Sequence, residues 1–213
     1  VVNPSPMMTI RKFTSRNFAM GDLIERRMLT AEQGQQLAAA ILRGDNLLIS
    51  GGTGAGKTTL TNVIAGFIPD TDRILILEDV AELYIRKPHV ISAEAQLDTH
   101  KSQIGFADLL KAALRHRPDR IIVGEIRGPE ARVFLDALNT GHRGSLSTIH
   151  ANSAEDALRR LAQLAMRGSV GVPLQDVMEE CRRSIDLIAH VANQEGWRHV
   201  TEIRLFHEFT NEI

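Results

Sequence analysis

The chain has 213 residues, 43% of them hydrophobic, which is enough to bury a full core and suits one large α/β domain better than two small ones. Its 25 basic residues stand against 26 acidic ones, so no global charge footprint points to nucleic acid or to an anionic membrane surface, and one cysteine, Cys181, excludes an internal disulfide and fits a reducing compartment. No apolar run is long enough to cross a bilayer and no charged-then-apolar leader opens the chain, so a soluble domain is expected.

The chain opens on Val1-Val2 rather than methionine, and Asn3-Pro4-Ser5-Pro6 reads as a linker. Residues 1–13 are therefore expected to be an interdomain remnant and 14–213 the folded domain, a C-terminal fragment of something longer. After the linker, 9–13 reads as extended. Thr30-x-x-Gln33 is a capping box that opens a helix through Leu37 and Ile41 to a stop at Gly44. The apolar run 46–50 reads as a buried strand, and Leu60, Val63 and Ile64 recur at helical spacing behind it. A second strand covers 73–77 and ends on Glu78-Asp79, with a further short strand at 90–93. Phe106, Leu109, Leu110, Ala113 and Leu114 mark a helix that ends before Pro118. A strand at 121–123 runs into Gly124-Glu125, and Pro129 suits the first turn of a helix reaching Leu138 and closing at Gly141. A strand at 145–149 ends at His150, and Ser153-x-x-Asp156 opens a helix with Leu158, Leu161, Ala162 and Ala165 on one face. Cys181 is placed as filler on a helix. Residues 185–191 and 197–206, joined by a turn at 193–196, read as a β-hairpin. Strands alternating with helices predict an α/β fold, a mostly parallel sheet with an antiparallel tail.

Between the first strand and its helix lies Gly51-Gly52-Thr53-Gly54-Ala55-Gly56-Lys57-Thr58-Thr59, which matches G-x-x-x-x-G-K-[ST]. A glycine-rich loop in that position wraps backbone N–H groups around phosphate oxygens, and the positive end of the following helix faces the same charge. Lys57 is placed to reach the terminal phosphates and Thr58 to ligate Mg²⁺. Ligands of such sheets gather at the carboxyl ends of the strands. The loop, Glu78-Asp79, Glu125 and His150 each follow an apolar strand, so pairing those strands brings them together. Hydrolysis of a nucleoside triphosphate needs a metal, a group that orients or deprotonates water, and a cation for the developing charge. Glu125 is a strand-end acid suited to the metal, directly or through water, although Gly124 stands where a metal-binding aspartate is more usual. Glu78 competes with it for activating water, Asp79 is as compatible with facing solvent, and His150 can sense a phosphate or orient a carboxylate. Arg115 and Arg117 precede the strand and Arg127 follows it, and any of them has the reach to touch a phosphate across a subunit contact.

Four segments then carry a resemblance. GGTGAGKTT at 51–59, LILEDVAEL at 75–83, RPDRIIVGEIRGPEA at 117–131 and GHRGSLSTIHANSAEDALRRL at 141–161 resemble, in order, the Walker A, Asp box, Walker B and His box of the traffic ATPases of bacterial type II and type IV secretion. The Gly-Glu form of Walker B is that family's own. The IRKF at 10–13 and the form of the His box are similar to the conjugative-transfer and tight-adherence pilus branch. The resemblance implies a RecA-like C-terminal ATPase domain of a homohexameric ring, with ATP and Mg²⁺ held between an N-terminal domain and this one. It further implies a cytoplasmic position against inner-membrane components of a secretion or conjugation apparatus. By motif, it makes Lys57 and Thr58 phosphate and Mg²⁺ ligands, Glu125 the Walker B acid, Glu78 the Asp-box acid, and His150 the His-box histidine. His142 is a second histidine of that box, Arg115 matches a position near the γ-phosphate, and Arg11 with Lys12 matches a basic region that touches the nucleotide. Two other readings stay open: a RecA-like nucleic-acid motor, against which the balanced charge and 4% aromatics argue, so that no direct nucleic-acid contact is expected, and a nucleotide-gated scaffold with little hydrolysis. A GTPase is disfavoured, since the chain has no Asn-Lys-x-Asp.

Overall fold

A computed structural model describes residues 8, 18–95, 104–169 and 171–206. The segment at 9–13, with Arg11 and Lys12, lies outside the described residues. The apolar runs become seven strands: β1 (Leu47–Gly51), β2 (Ile74–Glu78), β3 (Val90–Glu94), β4 (Arg120–Ile126), β5 (Leu146–Ile149), β6 (Leu187–Gln194) and β7 (Trp197–Leu205). They form one sheet in the order β3-β2-β4-β5-β1-β6-β7, parallel throughout except that β7 returns antiparallel to β6. β1, β2 and β5 are buried along their whole length, as parallel strands covered on both faces must be.

Among the described residues seven helices supply the cover: α1 (Met20–Glu25), α2 (Ala31–Arg43), α3 (Lys57–Ala65), α4 (Phe106–Leu114), α5 (Glu130–Asn139), α6 (Ala154–Met166) and α7 (Leu174–Ser184). Alternation along the strands divides the core. Leu47 and Ile49 pack with Leu37, Ile41, Leu60 and Ile64 on the side of α1 to α3, whereas Leu48 packs with Phe134, Leu158, Leu161 and Val177 on the side of α4 to α7. The Thr30 box forms as written, with Gln33 N–H donating to Thr30 Oγ1 at 3.1 Å and Thr30 N–H donating to Gln33 Oε1 at 2.9 Å, an arrangement worth about 1 kcal/mol. α1 is an addition to the sequence reading, and α7, which carries Cys181 on a helix as expected, gains bounds that the sequence reading did not give. α7 buries only Val177, Cys181 and Ser184, and burial pushes the Cys181 thiol up to about 12, so that it stays protonated and inert. An ion pair from Glu180 of α7 to Arg132 of α5, which Asp136 also joins, fixes the helix against its neighbour. Among the described residues no helix is long and apolar enough to cross a membrane.

Candidate active site

Because β2, β4, β5 and β1 are adjacent in that order, Glu78, Glu125, His150 and the loop after Gly51 all arrive at one edge of the sheet. The loop starts where β6 crowds β1. A Cβ on Gly51 would stand 2.2 Å from the Val191 carbonyl oxygen, so only glycine fits this strand end. α3 then begins at Lys57, whose ammonium folds back to donate to the Gly51 and Gly52 carbonyls, each at 3.0 Å. Burial holds the Lys57 pKa below its ordinary value, and the nearby Glu125 carboxylate works in the opposite direction. Arg198 of β7 ties the hairpin to the loop by donating from Nε to the Gly54 carbonyl at 2.8 Å.

Glu125 sits on a break in the sheet. Val123 pairs with Ser147 and Ile126 with Ile149, so Gly124 and Glu125 together oppose Thr148 and form a bulge, a device that re-aims a side chain. Ser147 Oγ donates to the Val123 carbonyl at 3.0 Å and Thr148 Oγ1 to the Gly124 carbonyl at 2.7 Å, which pins the bulge. Glu125 Oε2 accepts from Arg127 Nη2 at 2.7 Å. Its Oε1 lies 2.9 Å from His150 Nε2 in a contact not aligned as a hydrogen bond, which leaves Oε1 buried without a hydrogen-bond partner. His150 Nδ1 lies 3.5 Å from Lys57 Nζ, at the outer limit of a hydrogen bond. An ammonium only donates, so Nδ1 is the acceptor and the ring proton belongs on Nε2, facing Glu125. Burial lowers the His150 pKa, which keeps the ring neutral at neutral pH.

Glu78 is placed differently. Its carboxylate is 5% exposed, and Oε1 accepts from the backbone N–H groups of Glu82 and Leu83, both at 3.0 Å. Burial raises its pKa while those two bonds pull it down. The loop that Glu78 gathers delivers Glu82, whose Oε2 accepts from Thr58 Oγ1 at 3.4 Å. Gly124 faces this turn: a Cβ there would stand 2.9 Å from Glu78 Cγ, which gives the Gly-Glu pair its steric reason.

A family model described as type II/IV secretion system protein matches residues 2–194. The chain belongs to the type II/IV secretion system protein family. Conjugal transfer protein TrbB of Rhizobium radiobacter is 42% identical over 203 residues, covering 93% of this chain and 59% of that protein. Type IV secretion system protein VirB11 of Bartonella quintana is 32% identical over 232 residues, covering 92% of this chain and 65% of the relative. Among solved structures, the VirB11 ATPase from the Brucella suis type IV secretion system, in complex with sulphate, superposes with a TM-score of 0.75 at 30% identity, over 87% of this chain and 54% of that one. The chain thus spans about 60% of the length of the curated relatives it matches. The sheet and its helices are the RecA-like P-loop fold that the motifs led one to expect.

Within this family frame, the four boxes meet, but not every residue singled out from sequence does. Lys57, Thr58, Glu78, Glu125 and His150 share the site. Arg115 caps α4 five residues before β4 begins, at the edge of the sheet opposite the phosphate loop, and so is not brought to this chain's own site. Arg117 and His142 lie at that opposite edge too, with His142 Nδ1 donating to the Pro118 carbonyl at 3.0 Å. Asp79 does not simply face solvent: Arg127 Nη1 donates to its Oδ2 at 3.1 Å, so Arg127 bridges the Asp box and Walker B. Glu82 and Arg198 are the residues that sequence reasoning missed. Glu82 carried a signal, being a third acid in the Asp box four positions after Glu78, whereas nothing local marks Arg198.

Proposed function

We propose that this chain is the nucleotide-hydrolysing part of an ATPase motor that serves a bacterial secretion or conjugation apparatus, working as a homohexameric ring at the cytoplasmic face of the inner membrane. One observation carries the reading: the phosphate loop, the Glu125 carboxylate with its free buried oxygen, and the His150 ring stand within contact of one another at the carboxyl edge of the sheet. The relatives named for type IV secretion and conjugal transfer support the setting. They are longer than this chain, which supports a pocket completed by a further domain.

ATP is the substrate. The N–H groups at the start of α3 receive its phosphates, and Lys57 exchanges the Gly51 and Gly52 carbonyls for phosphate oxygens. Mg²⁺ fits the donor set, because it prefers one or two protein oxygens, substrate phosphates and water, and Thr58 Oγ1 would hold it directly, with Glu82 beside that hydroxyl and Glu125 reaching it through water. When bound, the ion neutralises phosphate charge. Glu125 takes the proton of the attacking water, while Arg127 bonded to Oε2 fixes the carboxylate's direction and the His150 ring stands beside Oε1. Loss of γ-phosphate contacts then opens the cleft, and repetition around the ring is the motor stroke.

The decisive experiment compares Lys57→Ala with Glu125→Gln. Lys57→Ala should lose ATP binding, whereas Glu125→Gln should bind ATP within a few-fold of wild type but turn over about 10²- to 10⁴-fold more slowly. Wild-type turnover by Glu125→Gln would refute the assignment.

A further inference from the structure

A cavity of about 1110 Å³ among the described residues lies away from the phosphate loop. It opens at the other edge of the sheet, where β2 and β4 begin, and five arginines line it against three aspartates. The aspartates are already engaged. Asp45 Oδ2 accepts from Arg43, Asp72 Oδ2 from Arg120 Nε and Asp119 Oδ2 from the Arg73 backbone N–H, each at 2.7 Å.

Of these cations, Arg73 and Arg117 are not matched in return, and Arg120 only in part. Arg120 is only 7% exposed, yet Nε is the one nitrogen of its guanidinium with an acceptor among the described residues. Its Nη1 is buried against Gly144 with no hydrogen-bond partner among the described residues, and a Cβ on Gly144 would stand 1.4 Å from it, so the side chain fills the space that a glycine leaves. Arg73 and Arg117 are exposed at the rim and their side chains make no hydrogen bond or ion pair among the described residues. A buried guanidinium held by a single carboxylate oxygen carries a desolvation cost that an added anion would offset. Arg117 also has a positive φ of 50° directly before Pro118, an unfavourable backbone that fixes where its side chain leaves the loop.

We propose that this basal cavity is a second anion site, separate from the phosphate loop, that takes a phosphate-bearing group through Arg73, Arg117 and Arg120. Arginine forks match phosphate oxygens in pairs, and three of them around one cleft suit a diphosphate or a phosphodiester better than a lone carboxylate. The GHRG segment of the His box gains a use here, since His142 is held at the wall of the cavity by its bond to the Pro118 carbonyl. The phosphate can be free in solution or belong to the headgroup of an acidic phospholipid.

Calorimetric titration with pyrophosphate tests the site in a Lys57→Ala background, where the phosphate loop is disabled. One saturable site should remain, and adding Arg73→Ala with Arg117→Ala should weaken it at least tenfold, while Arg117→Lys, which keeps the charge but loses the fork, should fall between wild type and Arg117→Ala. The arginine pair introduced into the otherwise wild-type protein should leave ATP affinity and the far-UV spectrum unchanged, which controls for folding. Co-sedimentation with phosphatidylglycerol vesicles, against phosphatidylcholine alone, separates the sources. Capture that depends on the arginines assigns the site to a lipid headgroup, and pyrophosphate binding without capture assigns it to a soluble phosphate. Neither pyrophosphate binding nor vesicle capture in the Lys57→Ala protein, or binding that ignores loss of both arginines, overturns the proposal.

Discussion

Three carboxylates crowd the few ångströms beyond the tips of β2 and β4, and their surroundings divide the work. Glu78 spends its Oε1 on two backbone N–H groups, so it shapes the turn that carries Glu82. Glu82 touches the Thr58 hydroxyl, and Glu125 keeps a buried oxygen free. Glu78→Gln should therefore fold as well as wild type, because the amide oxygen still accepts both bonds and a buried charge is removed. Glu78→Ala leaves two donors unpaired and should cost about 1–3 kcal/mol for each that stays buried, read as a lower urea midpoint. Glu82→Gln acts on the metal: the Mg²⁺ concentration for half-maximal hydrolysis should rise about tenfold or more, while turnover at saturating Mg²⁺ stays nearer wild type. An unchanged Mg²⁺ requirement would remove Glu82 from the metal's surroundings. The sequence disclosed that acids gather here but not which one points where, because direction is set by the turn that Glu78 closes on Glu82 and Leu83 and by the bulge at Gly124-Glu125, which is pinned by β5, 24 residues away. Arg115 is the opposite case, for β4 needs all seven of its residues to cross the sheet, so a residue before the strand lies at the far edge from one after it.

At the scale of elements, β6 matters to the site because it braces β1. His190 of β6 is 8% exposed, and its Nδ1 lies 2.8 Å from Ser50 Oγ of β1, one residue before the phosphate loop strand ends. Burial lowers the His190 pKa, and the Glu202 charge offsets this in part. For a base whose folded pKa lies below its unfolded value, the unfolded chain takes up the proton first. The stability it supports is therefore present above an ordinary histidine value of about 6.5 and is lost as pH falls from there toward the depressed folded value. Wild type should lose unfolding free energy between pH 7.5 and 5, and His190→Gln, which can still bond Ser50, should lose less over the same range by urea titration. His150 shares the sign of the shift, so a residual slope is expected, but an undiminished one would show that the β1–β6 contact does not titrate. Strands and the Thr30 and Ser153 helix starts were readable because burial and side-chain caps write themselves into local sequence. Of α7 only the helical setting of Cys181 was readable and not its bounds, since its buried seam is only Val177, Cys181 and Ser184 in a run of Glu and Arg, and its place comes from the Arg132 pair on a distant helix.

For the whole molecule, the question is whether two cores separated by one sheet behave as one. The α4 to α7 side centres on Phe134, fully buried on α5, while the α1 to α3 side carries Val200 of the hairpin and, through Arg198, reaches the phosphate loop. Residues of β1 serve both sides in alternation, so loosening one face removes support from the other. A domain of this size need not unfold in a single step, and a loosely attached hairpin would be the first part to leave. Phe134→Ala removes a large buried ring and should cost about 3–5 kcal/mol. Trp197, the only tryptophan, sits half-exposed on β7 stacked on His199 at 3.9 Å, and its fluorescence reports the hairpin alone. If the sheet couples the faces, Phe134→Ala should move the Trp197 transition and the far-UV transition to lower urea by the same amount. A Trp197 transition that stays in place while the helical signal moves would mean that the hairpin folds independently, and the Arg198 bond to the Gly54 carbonyl would not then tie the phosphate loop to the helical core.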